Sequence, residues 1–440
     1  MRKHILIVLG LFIALGAGVF WWLTRPDEAR LPIEQVMGKT PRITAPRKQF
    51  LPTVGIAEPV GWAEGAKPVP GAGLAVDAFA TGLDHPRWMY LLPNGDVLVA
   101  ETAGPKREGG GIVKTVQGWL MGRAGATVPS ANRITLLRDA DGDGRAETRT
   151  VLVGGLNSPF GMALVGEWLY VANTDSLVRF PFRPGQTRID AKPEKIVDLP
   201  PGSHWTRNII PNPNGSSLFV AVGSDSNIAD NGIEREKNRA NILEVFPEQK
   251  RFRIYAAGLR NPVGMAINPV DKTLWTVVNE RDMIGSDVPP DYLTRVEFGG
   301  FYGWPWNYWG GYTDERVQPQ RLDLREYTRR PDYALGPHTA SLGLAFSDGV
   351  RLGGRYASGA FIGQHGSWNR EPPAGYKVLF VPFAGNGFPT GALPIEVLGG
   401  FLDGEGRAQG RPVGVIGDRT GALLVADDVG NVIWRVRPAS

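Results

Sequence analysis

The chain contains no cysteine in 440 residues. That excludes a disulfide scaffold, thiol catalysis, zinc–thiolate sites and iron–sulfur clusters. It leaves the cellular compartment open. A dense basic run is also missing: the net charge of +4 is spread along the chain, so nucleic acid is not an expected partner. No strand–GxGxxG–helix unit occurs, which argues against a Rossmann-bound nicotinamide. The composition is equally unlike a helix bundle. Glycine (58) and proline (36) make up about a fifth of the chain, and both are poor inside helices.

What is present points to strands. Hydrophobic residues are 42% and charged residues 21%, a folding composition with 13 tryptophans. The length exceeds one ordinary compact core and asks for several domains or one large repeat architecture.

The chain opens Arg2-Lys3-His4, then runs nineteen uncharged, mostly apolar residues from Ile5 to Leu23. As a helix this run is roughly 28 Å long, about one hydrocarbon thickness. Trp21 and Trp22 stand at its far end and the positive charges at its start. Residues 1–24 are therefore expected to be a transmembrane anchor with a cytoplasmic N-terminus, or else a signal segment. In either case the remainder is exported. Residues 25–75 hold eight prolines and little periodicity, and are expected to be a proline-rich linker, part of it able to pack along the domain edge.

Residues 76–440 carry an internal repeat. Six segments, starting at Gly82, Gly155, His204, Gly258, Leu342 and Gly410, share one plan. Each has an opening turn, an apolar strand, a polar turn, a second apolar strand and a polar end. Pro93-Asn94-Gly95-Asp96 and Pro213-Asn214-Gly215 are the clearest hairpin turns. Six such units around an axis make an all-β, six-bladed β-propeller, with Val432–Val436 placed to close the ring. The opening turns should then converge on one mouth of the central channel. They bring His85 and Arg87, Asn157, His204 and Arg207, Arg260 and Asn261, His365 and Arg370, and Arg411. Several cations facing one cavity imply a ligand with carboxylates or carbonyl oxygens.

Four stretches are more specific: Gly258-Leu259-Arg260-Asn261-Pro262-Val263-Gly264, Asn279-Glu280-Arg281-Asp282, Gly299-Gly300-Phe301-Tyr302-Gly303-Trp304-Pro305 and Gly363-Gln364-His365-Gly366-Ser367-Trp368-Asn369-Arg370. Together they make the chain resemble the soluble quinoprotein glucose dehydrogenase superfamily, and its sorbosone dehydrogenase-like branch in particular. The resemblance implies pyrroloquinoline quinone (PQQ), a calcium ion (Ca2+) beneath it, and oxidation of a sugar or sugar aldehyde. It implies that electrons pass on to a respiratory quinone or a soluble carrier.

Carried over by motif, His204 matches the catalytic base, although Ser203 stands where the family has an acid. Arg260 and Asn261 match the pair on the reactive carbonyl. Arg411 matches an arginine on a cofactor carboxylate, and Asn157 lies near a substrate-contacting amide. Arg207, His365 and Arg370 are further cofactor-binding candidates. The backbone at Arg281 and Asp282 matches the holder of the cofactor's calcium. The types suit the chemistry: oxidation of a hydroxyl needs a base near neutral pKa and fixed positive charge where negative charge grows.

Asp139, Asp141, Asp143 and Glu147 form an oxygen-rich loop. Its spacing matches the first half of an EF-hand loop, but position 12 is Thr150, so a separate structural calcium is the sharper reading and a solvated hairpin turn the plainer one. His85 and His338 are expected to be structural. The aromatic stretch Phe301–Trp309 reads as a sugar platform or as blade packing. Two rival functions use the same fold: a calcium-dependent propeller hydrolase of lactonase type, and a non-catalytic propeller that binds a glycan or a protein. The expected location is the inner membrane with the propeller in the periplasm, or secretion to the periplasm.

Overall fold

Each of the six repeats forms the two inner strands of a four-stranded antiparallel sheet. The computed structural model describes residues 2–47, 53–105, 122 and 128–439. Blade 1 is Pro86–Leu91, Val97–Glu101, Arg133–Arg138 and Thr148–Val153. Blade 2 is Met162–Val165, Trp168–Ala172, Ser176–Pro181 and Glu194–Asp198. Blade 3 is Ile209–Pro211, Leu218–Val222, Asn241–Phe246 and Arg251–Ala257. Blade 4 is Pro262–Ile267, Leu274–Val278, Pro290–Val296 and Tyr333–Pro337. Blade 5 is Ser341–Phe346, Gly359–Gln364, Lys377–Pro382 and Ile395–Gly399. Blade 6 takes Pro412–Gly417, Leu423–Asp427 and Val432–Pro438 from the C-terminus and its outer strand, Leu74–Ala80, from the start of the domain. Pairing the first strand with the last closes the ring, so neither end of the domain leaves a loose blade.

The second strands are buried along their whole length in blades 1, 3, 4, 5 and 6. Neighbouring blades cover both faces, which is why these strands read as unbroken apolar runs rather than as alternating ones. One apolar cluster fills each of the six inter-blade spaces, for example Trp275, Leu293 and Tyr333 against Leu344, Phe346 and Ile362 between blades 4 and 5. Burying each such side chain contributes about 1.5–3 kcal/mol.

The inner strands meet at the axis, and glycine makes this possible. Gly161, Gly264, Gly343 and Gly414 occupy the same place in four repeats. A Cβ on Gly343 would lie 2.2 Å from Val413 O, and one on Gly264 2.6 Å from Leu342 O. Backbone here packs on backbone of the next blade, leaving no room for a side chain.

Residues 25–75 do not hang free where they are described. Met37–Gly38 adds a fifth strand to blade 4, and Val69–Pro70 adds one to blade 5. Arg47 joins Asp27 at 2.6 Å and Asp287 at 3.0 Å. Trp62 packs edge-on against Phe401 and Trp434 and donates to Asp427 at 2.7 Å. The prolines suit an extended strap laid on the propeller, with few amide donors of its own to satisfy. Pro52, counted in the linker, lies outside the described residues.

Arg2–Thr24 is a single α-helix, and its described side chains from Leu11 to Trp21 are exposed. The side chains of residues 2–9 and 22–24 lie outside the described set. Among the described residues no helix is long and apolar enough to cross a membrane.

Candidate active site

Antiparallel pairing puts the start of each inner strand beside the end of the second. Pro86 pairs with Glu101, Pro262 with Val278, Ser341 with Gln364 and Pro412 with Asp427. The mouth is therefore built from opening turns and from second-strand ends alike.

One cluster gathers on Asp428, just past the second strand of blade 6. Arg87, from the inner strand of blade 1, donates to its Oδ2. His365, from the end of the second strand of blade 5, lies 2.9 Å from the same oxygen. His85 Nε2 is 3.5 Å away. Burial pushes the Asp428 carboxyl up, but His365, His85 and Arg87 outweigh it and hold it well below the usual range. Burial lowers His365 to about 4, more than Asp428 draws it upward. The cluster is thus an ionised carboxylate, two imidazoles whose burial favours the neutral form, and one guanidinium. Arg411 adds charge close by: its guanidinium carbon sits 5.2 Å from the centre of the Tyr376 ring and its Nη2 donates to Ala57 O at 2.9 Å. The Nε atoms of Arg87 and Arg411 are buried without a partner within the protein.

A second cluster holds His204 and Asn261. Gly223 separates them: a Cβ there would lie 2.4 Å from Asn261 Oδ1 and 2.6 Å from His204 Cβ. Asn261 Oδ1 is buried and has no protein partner. Trp205 ties the clusters together, since it follows His204 in the chain and its ring centre lies 5.7 Å from the Arg87 guanidinium carbon. Arg260 stands behind Asn261, 4% exposed. All five of its N–H groups have acceptors: Asn227 O, Asn279 O, Glu280 O, Asn227 Oδ1 and Asp282 Oδ2, at 3.2, 3.4, 2.6, 3.0 and 3.1 Å. Burial pushes the Asp282 carboxyl up, but Arg260, a hydrogen bond from His338 and the nearby His204 bring it below its ordinary value.

A family model described as TrAA12-like matches residues 68–290 and 323–439. The chain belongs to the TrAA12-like family. A relative from Borreliella burgdorferi, described as an uncharacterized protein, is 30% identical over 242 residues, 53% of this chain and 60% of that one. The pyrroloquinoline quinone-dependent pyranose dehydrogenase of Coprinopsis cinerea is 28% identical over 222 residues, 41% of this chain and 30% of that one. The chain thus spans 60% and 30% of the length of these two relatives. The holo form of the pyranose dehydrogenase PQQ domain from Coprinopsis cinerea superposes with a TM-score of 0.69 at 21% identity, over 87% of this chain and 100% of that one. That likeness speaks to the fold.

Within this TrAA12-like propeller several expected site residues do other work. Arg207 is fully buried and donates to His204 O, Thr206 O and Pro200 O at 2.7, 2.8 and 2.6 Å. It braces the His204 loop rather than a ligand, and burial lowers its pKa to about 9. Arg370 donates to Ser286 O and Pro372 O and anchors loops beside the strap. Asn157 is exposed and donates to Asp175 at 2.8 Å. Arg260, expected on the reactive carbonyl, spends its donors on the loops of Asn227, Asn279, Glu280 and Asp282. Asp282 O already accepts from Asn227 Nδ2 at 3.1 Å and Arg281 Nη2 at 2.8 Å, and the Arg281 guanidinium reaches Asp314. The Arg281 and Arg260 guanidinium groups beside that carbonyl oppose a cation.

The ligating oxygens of Asp139, Asp141, Asp143 and Glu147 come within 4.8 Å of one another. They accept hydrogen bonds from the amides of Ala140, Gly142, Asp143, Gly144 and Arg145, which is the bonding of a self-closed acidic turn. Tyr302, Trp304, Tyr308 and Trp309 are buried, so most of the aromatic stretch is packing. Trp304 donates to Asn227 O at 2.9 Å and steadies the loop that holds Arg260.

Sequence reasoning missed Asp428, Ser224 and Gly223. All three lie at second-strand ends. The repeat plan itself held the signal, because a strand that ends beside an opening turn shares its face.

Proposed function

We propose that the chain is a PQQ-dependent oxidoreductase acting on a sugar or sugar aldehyde, sorbosone among the candidates. The observation that carries this reading is the convergence of Arg87, His365 and Arg411 from three blades around one mouth that also holds His204 and Asn261. PQQ is an anionic quinone with three carboxylates, and guanidinium groups match it. The buried, unpartnered Nε atoms of Arg87 and Arg411 fit such a ligand. Arg87 and Arg411 would hold carboxylates, and Asn261 would orient the quinone ring. When bound there, PQQ supplies the carbonyl that accepts the substrate's electron pair.

The chain's own groups do the rest. His204 takes the hydroxyl proton at Nε2. Arg260, though fully bonded, keeps its charge beside Asn261 and holds Asp282 and Asn227 in place. Asp428 pairs with Arg87, and burial keeps His365 neutral. Asp282 O already accepts from Asn227 and Arg281, and calcium is given no role in these steps. The named dehydrogenase from Coprinopsis cinerea supports the redox reading over a hydrolase. Attachment to the cytoplasmic membrane through residues 1–24, a periplasmic propeller and a respiratory electron acceptor are proposed on the sequence alone.

The test is sugar-dependent dye reduction by the full chain supplied with PQQ, across sugars and sugar aldehydes. His204→Ala should lower turnover about 10²–10⁴-fold while PQQ still binds. Wild-type turnover in that variant contradicts the assignment.

A further inference from the structure

Ser203 precedes His204, so the neighbouring acid that would orient a histidine base is not there. The fold supplies a different partner. His204 Nδ1 lies 2.9 Å from Ser224 O and 3.0 Å from Ser224 Oγ. A carbonyl oxygen has no proton to give, so the first contact requires a proton on Nδ1. The second requires the same. Ser224 Oγ donates its one proton to Ser226 O at 2.7 Å, which leaves only lone pairs for the imidazole.

The two acceptors are also held still. Ser224 is fully buried, and its amide donates to Arg260 O at 2.8 Å. The next two amides, of Asp225 and Ser226, donate to the Glu236 carboxylate at 2.7 and 3.1 Å. Gly223 packs on His204 Cβ, where a Cβ of its own would lie 2.6 Å away. The ring therefore cannot exchange its nitrogens without breaking two bonds.

We infer that Ser224 is a positioning residue that locks neutral His204 as the Nδ1–H tautomer, so that Nε2 is the nitrogen with the lone pair. It does by two neutral acceptors what a carboxylate does elsewhere, and adds no negative charge behind the base. The inference rests on the proposed function only in taking His204 as the base. The tautomer is a property of the protein by itself.

The test is long-range nitrogen–proton NMR correlation on the full chain, uniformly labelled with nitrogen-15, at about pH 8 where imidazoles are neutral. There are five histidines, and the His204 signals are those lost in His204→Gln. The expected pattern is a protonated Nδ1 and an unprotonated Nε2. A protonated Nε2 overturns the inference, whether or not the enzyme turns over sugar.

Ser224→Ala keeps the carbonyl and removes Oγ. It should populate the second tautomer and lower kcat about tenfold with KM unchanged, and Ser224→Thr should restore both. An alanine variant with wild-type tautomer and wild-type kcat removes Ser224 Oγ from the account. If Ser224→Ala does not fold, the wild-type spectrum still decides. Absence of any PQQ-dependent activity with the expected tautomer would sink the functional reading and leave this one standing.

Discussion

His365 Nε2 lies 2.9 Å from Asp428 Oδ2, a contact between the second-strand ends of two adjacent blades. The pair shows how the mouth handles charge. Burial keeps the imidazole neutral down to about pH 4, and Arg87 answers the carboxylate.

That arrangement makes stability depend on pH. His365 has a folded pKa of about 4, below its ordinary 6.5. Between those values the unfolded chain binds the extra proton, so stability rises with pH across the window. The contribution is fully present above pH 6.5 and lost as pH falls toward 4. His85, also lowered by burial, adds the same sign. Urea unfolding should therefore weaken on going from pH 7 to pH 4.5, by on the order of 2 kcal/mol from His365. His365→Gln should flatten that part of the profile. An unchanged profile in the variant would remove His365 from the account.

Gly223→Ala tests the wall between His204 and Asn261. The new Cβ would stand 2.4 Å from Asn261 Oδ1 and 2.6 Å from His204 Cβ, neither of which is a flexible tip. The substitution should destabilise by about 1–3 kcal/mol and displace both side chains. Turnover should fall far more than this loss of stability accounts for, read as kcat on the fully folded fraction.

Trp62→Ala tests the strap. It removes two edge-to-face contacts and one of the donors to the buried Asp427 carboxylate. The expected loss is about 3 kcal/mol in urea unfolding. Burial raises the Asp427 pKa, and the remaining donors are Trp434 Nε1 and the amides of Gly430 and Arg411. Arg411 is thus loosened too, and PQQ affinity should drop with stability. A strap that served only as a tether would show neither effect.

The six-blade plan was legible because each blade repeats one hairpin with its own turn chemistry. Asn94-Gly95 and Asn214-Gly215 mark turns, and the apolar runs after them are the buried second strands. The glycine in Pro-Val-Gly and Ser-Leu-Gly marked backbone contact at the axis, a three-dimensional reason that a local reading does not supply. His204, Asn261, His365 and Arg411 were legible as candidates, since opening turns and motifs carry them. Arg207, Arg370 and Arg260 bond backbone carbonyls in buried loops, a use for which an arginine is equally suited and which sequence does not separate from ligand binding. The linker's packing along the domain edge was legible only in outline, because its strands are two residues long, too short for any periodicity. Asp428 went unnoticed beside Asp427; one caps tryptophans and amides, the other faces the mouth, and sequence does not separate them.

The central claim is that this mouth binds an anionic quinone through Arg87 and Arg411. Equilibrium titration of the purified full chain with PQQ, followed by quenching of tryptophan fluorescence, tests it most directly. The account predicts one saturable site, weakened at least about tenfold in Arg411→Gln with the fold intact. No saturable binding, or equal affinity in that variant, would contradict it.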